Sequence, residues 1–474
     1  MKIPIRWLFL SAGLALACAA GAQQPRNALL AGTTKVNITP RTEDEPVHDS
    51  IYARVLVLDA NGIRLAFVSV DLAVFTSDRI GRTCKEKYGI TQLMLCSSHN
   101  HSEPQPGGKR SFQAGNPYTA FYEDQIIKAV GESVTHLFAA RISAGRATFP
   151  QLGFNRLIPR EDGHARESWF SDDHYTSENP ERIPFGPVDP EVGVLRIDDA
   201  SGQARAIVMN YACHADIVCF NYAVSADYPG VACRKVEEAF GGGVNCLFVQ
   251  GAGGNIESLQ ISSRRKGPDD PFQTNYLPME RTGELLAWQV IKLAKSLASG
   301  ASPATPLPAT PSPTSPQSAA PPVSDTPVLR YMEDSLHFTG RFNKKLDINV
   351  HISTIILNNT MAIAVCPGEL FVQLGLDWKE KMALAGVQPF LFGYCWSQGN
   401  WPGYIADVRS AALGGYGADQ GGDLIEVGAG ETIMTRQLAD FYRLNGLMRA
   451  QPGPTGFKSG AQWIVRPFDP AKDK

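Results

Sequence analysis

The sequence predicts an α/β fold of mixed, hairpin-rich sheets flanked by helices. Three observations carry this expectation. Apolar, strand-like runs come in pairs around short turn signals. Helical periodicity appears between and after those pairs. The regular strand–helix–strand alternation of a doubly wound parallel sheet is absent. At 474 residues, 43% of them hydrophobic, the chain is long enough to bury at least one large core.

Residues 1–22 read as a secretory signal peptide. Lys2 and Arg6 precede an apolar stretch from Trp7, and Ala20-Gly21-Ala22 precedes Gln23 as a small-x-small cleavage pattern. The mature chain, 23–474, is therefore expected in the periplasm or outside the cell. Cys18 leaves a lipoprotein reading open, although Ala15 stands where such signals usually carry Leu. Eight further cysteines form an even set in an exported chain, so disulfides are expected, but spacing does not give the pairing. The spacings match no cysteine-based zinc motif.

The segment "IYARVLVLDANGIRLAFVSVDLAVF" predicts two strands around Asn61-Gly62. "VGVLRIDDASGQARAIVMNYACHADIV" repeats the pattern around Ala200-Ser201-Gly202. "CLFVQGAGGNIES" predicts a buried strand running into a glycine-rich turn. Helices are predicted in "YPGVACRKVEEAF", with Pro229 in the first turn, and in "PMERTGELLAWQVIKLAKSLA". The stretch 299–327 is almost entirely Pro, Ala, Ser and Thr, a composition expected to stay extended and disordered. Beyond it, "DINVHISTIILNNTMAIAVCPGELF" reads as strand, turn, strand. "LFVQLGLDWKEKMAL" and "ETIMTRQLADFYRLNGLM" read as helices. A formal net charge of −3 with no basic stripe argues against a nucleic-acid partner. After the N-terminus, no apolar run is long enough for a transmembrane segment.

Several polar residues stand at the ends of apolar runs. "LMLCSSHNHSEPQP" places His99 and His101 two apart, which on extended backbone turns both to one side. The pair is either a metal-binding corner or a solvated turn. His214, in "MNYACHADIV", is either a site residue or a hydrogen-bonded structural histidine. Asp227, in "SADYPG", could orient a histidine, but a helix cap is the favoured reading. Glu369, after Pro367-Gly368, is either a helix-capping acid or a ligand. The glycines of "QGAGGNIES" allow close backbone approach or amide donors to an oxyanion. Arg156 follows Gly153-Phe154-Asn155, and Tyr404 and Tyr416 stand twelve apart.

Taken in order, "SSHNHSEP", "FNR", "YACHADIV", "QGAGGNIES", "CPGELF" and "GYIADVRSAALGGY" resemble the neutral/alkaline ceramidase family of zinc-dependent amidases. The match runs from about residue 30 to 445. The resemblance implies Zn2+ as cofactor, with His99, His214, Glu369 and Tyr404 as its ligands. It implies that His101 handles protons and that Arg156 and Tyr416 contact the substrate carbonyl or the developing oxyanion. It also points to Gly254, Asn255 and Glu257 as substrate-binding residues. Ligands fall on both sides of 299–327, so that stretch is expected to be an insertion within a single ceramidase-like catalytic domain. The implied reaction is attack of zinc-bound water on an amide carbonyl, with His101 delivering the proton to the leaving amine. The substrate would be a lipid or small-molecule amide of N-acyl type; oligomeric state is left open.

The chain departs from the family pattern at two acids. Glu257 stands where a motif serine is usual, and Glu103 where glycine is usual. The chain also ends about 70 residues after Tyr404, which leaves no room for the immunoglobulin-like domain of longer ceramidases. The expectation is thus a short bacterial version whose substrate need not be ceramide. Alternatives are a secreted binding or scaffold protein with a vestigial metal site, or an esterase or other metallohydrolase.

Overall fold

The computed structural model describes residues 28–41, 45–149, 152–167, 186–219, 221, 223–259, 274–298, 329–422 and 424–448. The expected signal peptide and the proline-rich stretch 299–327 lie outside them.

The first half carries strands β1 (Leu30–Asn37), β2 (Tyr52–Ala60), β3 (Ile63–Val70), helix α1 (Asp78–Tyr88), β4 (Gln92–Ser97), α2 (Thr119–Thr135) and β5 (Phe138–Thr148). Short strands β6 (Gly153–Asn155), β7 (Leu157–Pro159) and β8 (Ala165–Glu167) follow. Then come β9 (Glu191–Asp199), β10 (Ala204–Tyr211), α3 (Asp227–Ala239), β11 (Asn245–Gln250), β12 (Ile256–Ser258) and α4 (Leu277–Leu297). The second half holds β13 (Leu329–Thr339), β14 (Asp347–Leu357), β15 (Met361–Val365), β16 (Glu369–Leu370), α5 (Val372–Leu384) and β17 (Gln388–Phe392). It ends with β18 (Cys395–Trp396), β19 (Tyr404–Ile405), α6 (Val408–Leu413) and α7 (Ala429–Leu444).

Turn chemistry explains the hairpins. Asn61 and Gly62 both take positive φ, 55° and 78°, and pair β2 with β3 in antiparallel register from Ala60↔Ile63. Asn358 and Asn359, at 52° and 58°, do the same between β14 and β15. Helix α1 starts where the Ser77 side chain accepts from Ile80 N–H, and stops at left-handed Gly89.

Nine strands form one sheet in the order β11-β10-β9-β5-β1-β2-β3-β4-β18. A second sheet has the order β13-β14-β15-β17. Period-two alternation sorts the side chains of the large sheet. Val55 and Val57 pack against Tyr122 and Ile126 of α2, while Leu56 and Leu58 join a core shared with Ile355, Ile363, Phe390 and Phe392 of the small sheet. The outer face of the small sheet packs Ile352 and Ile356 against Trp378 of α5 and Phe441 of α7. Helices α3 and α4 cover Ile207 and Met209 of β10. The result is four layers, helices outside and two sheets inside. Both faces of the inner strands are buried, which is why they read as continuous apolar runs. The expected mixed α/β class, with hairpin-rich sheets flanked by helices, is the observed one. Strands from before and after the proline-rich stretch share one core.

Among the described residues, no helix is long and apolar enough to cross a membrane.

Candidate metal centre

Three parallel strand pairs, β3 with β4, β10 with β11 and β15 with β17, end on one site. His99 follows β4, His214 follows β10, the glycine turn follows β11, and Glu369 follows β15. Carboxyl ends of parallel strands are where α/β sheets place ligands, because chain crossings leave a crevice there.

His99 sits in the left-handed region, φ 62°, rare for a residue with a Cβ. Its backbone is held by its own N–H donating to Leu72 O and by Asn100 Nδ2 donating to Asp71 O. His99 Nδ1 lies 2.7 Å from Ala73 O. His214 Nδ1 lies 2.9 Å from Gly253 O and 3.0 Å from Ile256 O. A carbonyl only accepts, so both rings carry their proton on Nδ1 and present an Nε2 lone pair. Both Nε2 atoms face one oxygen: Glu369 Oε2 is 3.3 Å from His99 Nε2 and 3.4 Å from His214 Nε2. His214 Nε2 and Glu369 Oε2 are buried and make no hydrogen bond. With both imidazoles neutral, three acceptors converge on one point. Burial alone would raise the Glu369 pKa, but the positive charge that His99 and His214 carry when protonated overcomes this and holds it well below the usual carboxylate range.

His101 completes a cluster: the ligand nitrogens of His99, His101 and His214 all lie within 4.8 Å of one another. Its N–H donates to Ala215 O, which sets it beside the His214 strand end. Burial, with the neighbouring His99, Arg110 and His214, lowers its pKa well below the usual imidazole value.

Glu369 pairs in parallel register with Tyr404 across β16 and β19. Neighbours in register share a face of the sheet, so the two side chains lie side by side. Glu369 does not cap α5, whose first residue is Val372; the Val372 N–H instead donates to Asn255 Oδ1. Tyr404 is partly buried, and its ring centroid is 5.5 Å from that of Tyr416. The Arg156 guanidinium lies against both rings, 5.4 Å from Tyr404 and 5.0 Å from Tyr416. Arg156 is itself buried. Its Nη1 donates to Glu257 Oε2 at 2.7 Å and its Nη2 to Gly254 O at 2.9 Å.

Gly254, Asn255 and Glu257, the expected substrate-binding residues, make hydrogen bonds within the protein. Gly254 N–H donates to Leu370 O at 2.7 Å, and a Cβ there would come within 2.3 Å of Glu369 O. Glycine is required because the turn lies directly on the Glu369 strand. Asn255 holds the start of α5, and Glu257 neutralises Arg156. Asp227 neither meets a histidine nor stands at the N-cap position, which is Ala226. Its carboxylate accepts from Val218 N–H and Tyr228 N–H, tying the loop after His214 to α3. Glu103 is also buried and turned inward. It accepts from Ala73 N–H, Ser111 N–H and Ser111 O–H.

Two features escaped sequence reasoning. Tyr394, after β17, is buried with its ring 4.8 Å from that of His99. It carries the same signal as His99 and His214, a polar side chain at the end of an apolar strand. Cys96 and Cys395 form a disulfide between neighbouring strands β4 and β18.

Two imidazoles and a carboxylate suit a divalent transition ion such as zinc. Each imidazole is oriented through Nδ1 by a backbone carbonyl, as metal-binding histidines usually are. The residues therefore fit a metal ion.

Two solved structures share this fold. One is a neutral ceramidase from Pseudomonas aeruginosa, 15% identical, with a TM-score of 0.60 over 87% of this chain and 73% of that one. The other is a ceramidase complexed with C2, 15% identical, with a TM-score of 0.62 over 90% of this chain and 77% of that one. At that identity the likeness is one of fold. No family model and no curated protein matches the chain.

Proposed function

We propose that this chain is a zinc-dependent hydrolase of amide bonds, acting on an N-acyl amide of lipid or small-molecule type. One observation supports the reading: the Nε2 atoms of two histidines and a buried carboxylate oxygen converge at 3.3 and 3.4 Å, a donor set that a divalent cation would satisfy. The ceramidase fold supports the reaction class. His99, His214 and Glu369 would hold the ion, with Tyr404, in register beside Glu369, as the fourth ligand. A divalent ion held there supplies Lewis-acid polarisation of a carbonyl and makes nearby water more acidic.

The remaining residues divide the work. His101, at the edge of the cluster, accepts a proton and returns it to the leaving nitrogen; an amide needs that return because an unprotonated amine leaves poorly. Arg156 orients Tyr404 and Tyr416 from beneath, which leaves the Tyr416 ring to face the acyl group. Gly254, Asn255 and Glu257 hold this framework. The parts before 299 and after 327 act as one catalytic domain, because each contributes ligands to the same ion. The Cys96–Cys395 disulfide supports an oxidising compartment, in line with export.

The test is metal analysis of purified wild type and His214→Ala, with turnover of a panel of N-acyl amines before and after chelation. Stoichiometric zinc in wild type, its loss in the variant, and turnover abolished by chelator and restored by zinc are expected. A wild type without bound metal, or a variant that retains it all, refutes the site. Bound zinc with no turnover across the panel refutes the hydrolase and leaves a binding protein.

A further inference from the structure

Tyr394 is fully buried, yet its phenol oxygen has no hydrogen-bond partner. Buried hydroxyls nearly always find one, so an unmet phenol beside a cluster of ligands needs a reason. The backbone is unusual too. Tyr394 has φ 55°, a left-handed conformation that a bulky side chain rarely adopts. That conformation is over-determined by its surroundings. Tyr394 N–H donates to Gly368 O, immediately before Glu369, and Tyr394 O accepts from Ser97 N–H, two residues before His99. The neighbouring Cys395 is tied to Cys96. The residue is therefore clamped between the two segments that deliver His99 and Glu369. Its ring centroid lies 4.8 Å from that of His99 and 6.4 Å from that of His214.

Resting on the reading of the site as an amide hydrolase, we propose that the Tyr394 hydroxyl is a further catalytic group, donating a hydrogen bond to the substrate carbonyl oxygen as it becomes an oxyanion. No bond to Tyr394 forms or breaks; the phenol keeps its proton throughout. Two observations favour this donor. Arg156, the residue expected to meet the oxyanion, directs Nη1 to Glu257 and Nη2 to Gly254 O. The Tyr394 ring, buried and with its hydroxyl unmet, lies beside the rings of both candidate histidine ligands. A phenol, with an ordinary pKa of ~10, keeps its proton and so remains a donor at neutral pH. A preorganised donor in a water-excluded site stabilises developing charge without reorganising, which is the usual source of a large rate effect.

The test compares wild type with Tyr394→Phe, which keeps the ring packing and removes only the O–H. Three quantities are measured: bound zinc, steady-state kinetics on the best amide of the panel, and calorimetric binding of a non-hydrolysable phosphonamidate, a mimic of the tetrahedral oxyanion. The variant should keep its zinc and melting temperature, lose kcat by about 100-fold with KM changed less than about threefold, and bind the phosphonamidate at least about tenfold more weakly. Equal phosphonamidate affinity in the two proteins, with wild type active, overturns the role of Tyr394 and leaves the hydrolase reading standing. Loss of zinc in the variant also overturns it, since the phenol would then support the ion rather than the substrate. A wild type that neither turns over the panel nor binds the mimic overturns the hydrolase reading, and this inference with it.

Discussion

Arg156 and Glu257 form an ion pair at 2.7 Å in which each side chain is only 1% exposed. Glu257 stands where the resembled family has a serine, and the pair explains what the acid does. Two charges removed from water tolerate each other only as a pair; removing one strands the other. Glu257→Ser should therefore destabilise the protein by about 3–5 kcal/mol. Urea denaturation of wild type and variant reads this directly. A variant as stable as wild type would mean that Arg156 does not depend on Glu257.

Glu103, the second departure from the family pattern, reaches the candidate metal centre through one residue. It accepts from Ala73 N–H, and Ala73 O accepts from His99 Nδ1. Glu103→Ala frees the Ala73 peptide and with it the ring that must aim Nε2 at the ion. Loss of such an outer contact typically costs about 10–100-fold in metal affinity. Competition with a chromogenic chelator should show that loss; unchanged affinity would mean that His99 is held without Glu103.

The strands and helices were legible because their cues are local. Asn61-Gly62 demanded a hairpin, and the 3.6-residue period marked α4 and α7. The stacking of two sheets was not legible, because continuous apolar runs do not say which face meets which layer. At the centre, His99 and His214 could be picked out as strand-end residues. That Glu369 is no cap emerged only with α5 beginning at Val372, and its pairing with Tyr404 is a contact between two-residue strands that no periodicity reveals. The roles of Asn255 and Asp227 depended on tertiary hydrogen bonds to Val372 and Val218, far from any motif. Tyr394 was visible in "LFGYCW" but carried no motif of its own.

Asp227 gives the fold a pH-dependent stability. Burial raises its pKa to about 7 against the opposing hydrogen bonds from Val218 and Tyr228. In the unfolded chain it releases its proton near pH ~4. Between about pH 4 and 7 the folded state therefore binds the extra proton, and stability falls as pH rises through that window, levelling above it. A shift of this size is worth about 4 kcal/mol. Asp227→Asn cannot ionise, so the stability advantage of wild type over the variant should shrink by a few kcal/mol from pH 4.5 to 7.5. Titrating groups that do not sense Asp227 cancel in that difference; Asp49, which repels it, does not. An advantage independent of pH would show that Asp227 ionises normally in the fold.

The Cys96–Cys395 disulfide joins parts of the chain 299 residues apart. The loop it closes contains the whole proline-rich stretch, and its two ends lie beside His99 and Tyr394. Cross-linking distant residues lowers the entropy of the unfolded chain, and long loops gain most, typically about 2–5 kcal/mol. Cys395→Ser should therefore lower the melting temperature. A second consequence is covalent. Protease cleavage within 299–327 should leave two fragments that migrate as one species without reductant and separate with it. If the halves also stay folded together, the nicked protein should keep its zinc before reduction and lose affinity for it afterwards, because β18 then loses its covalent tie to β4 beside His99. Fragments that separate without reductant would show that these two cysteines are not bonded, and the clamp on Tyr394 would rest on its hydrogen bonds to Gly368 and Ser97 alone.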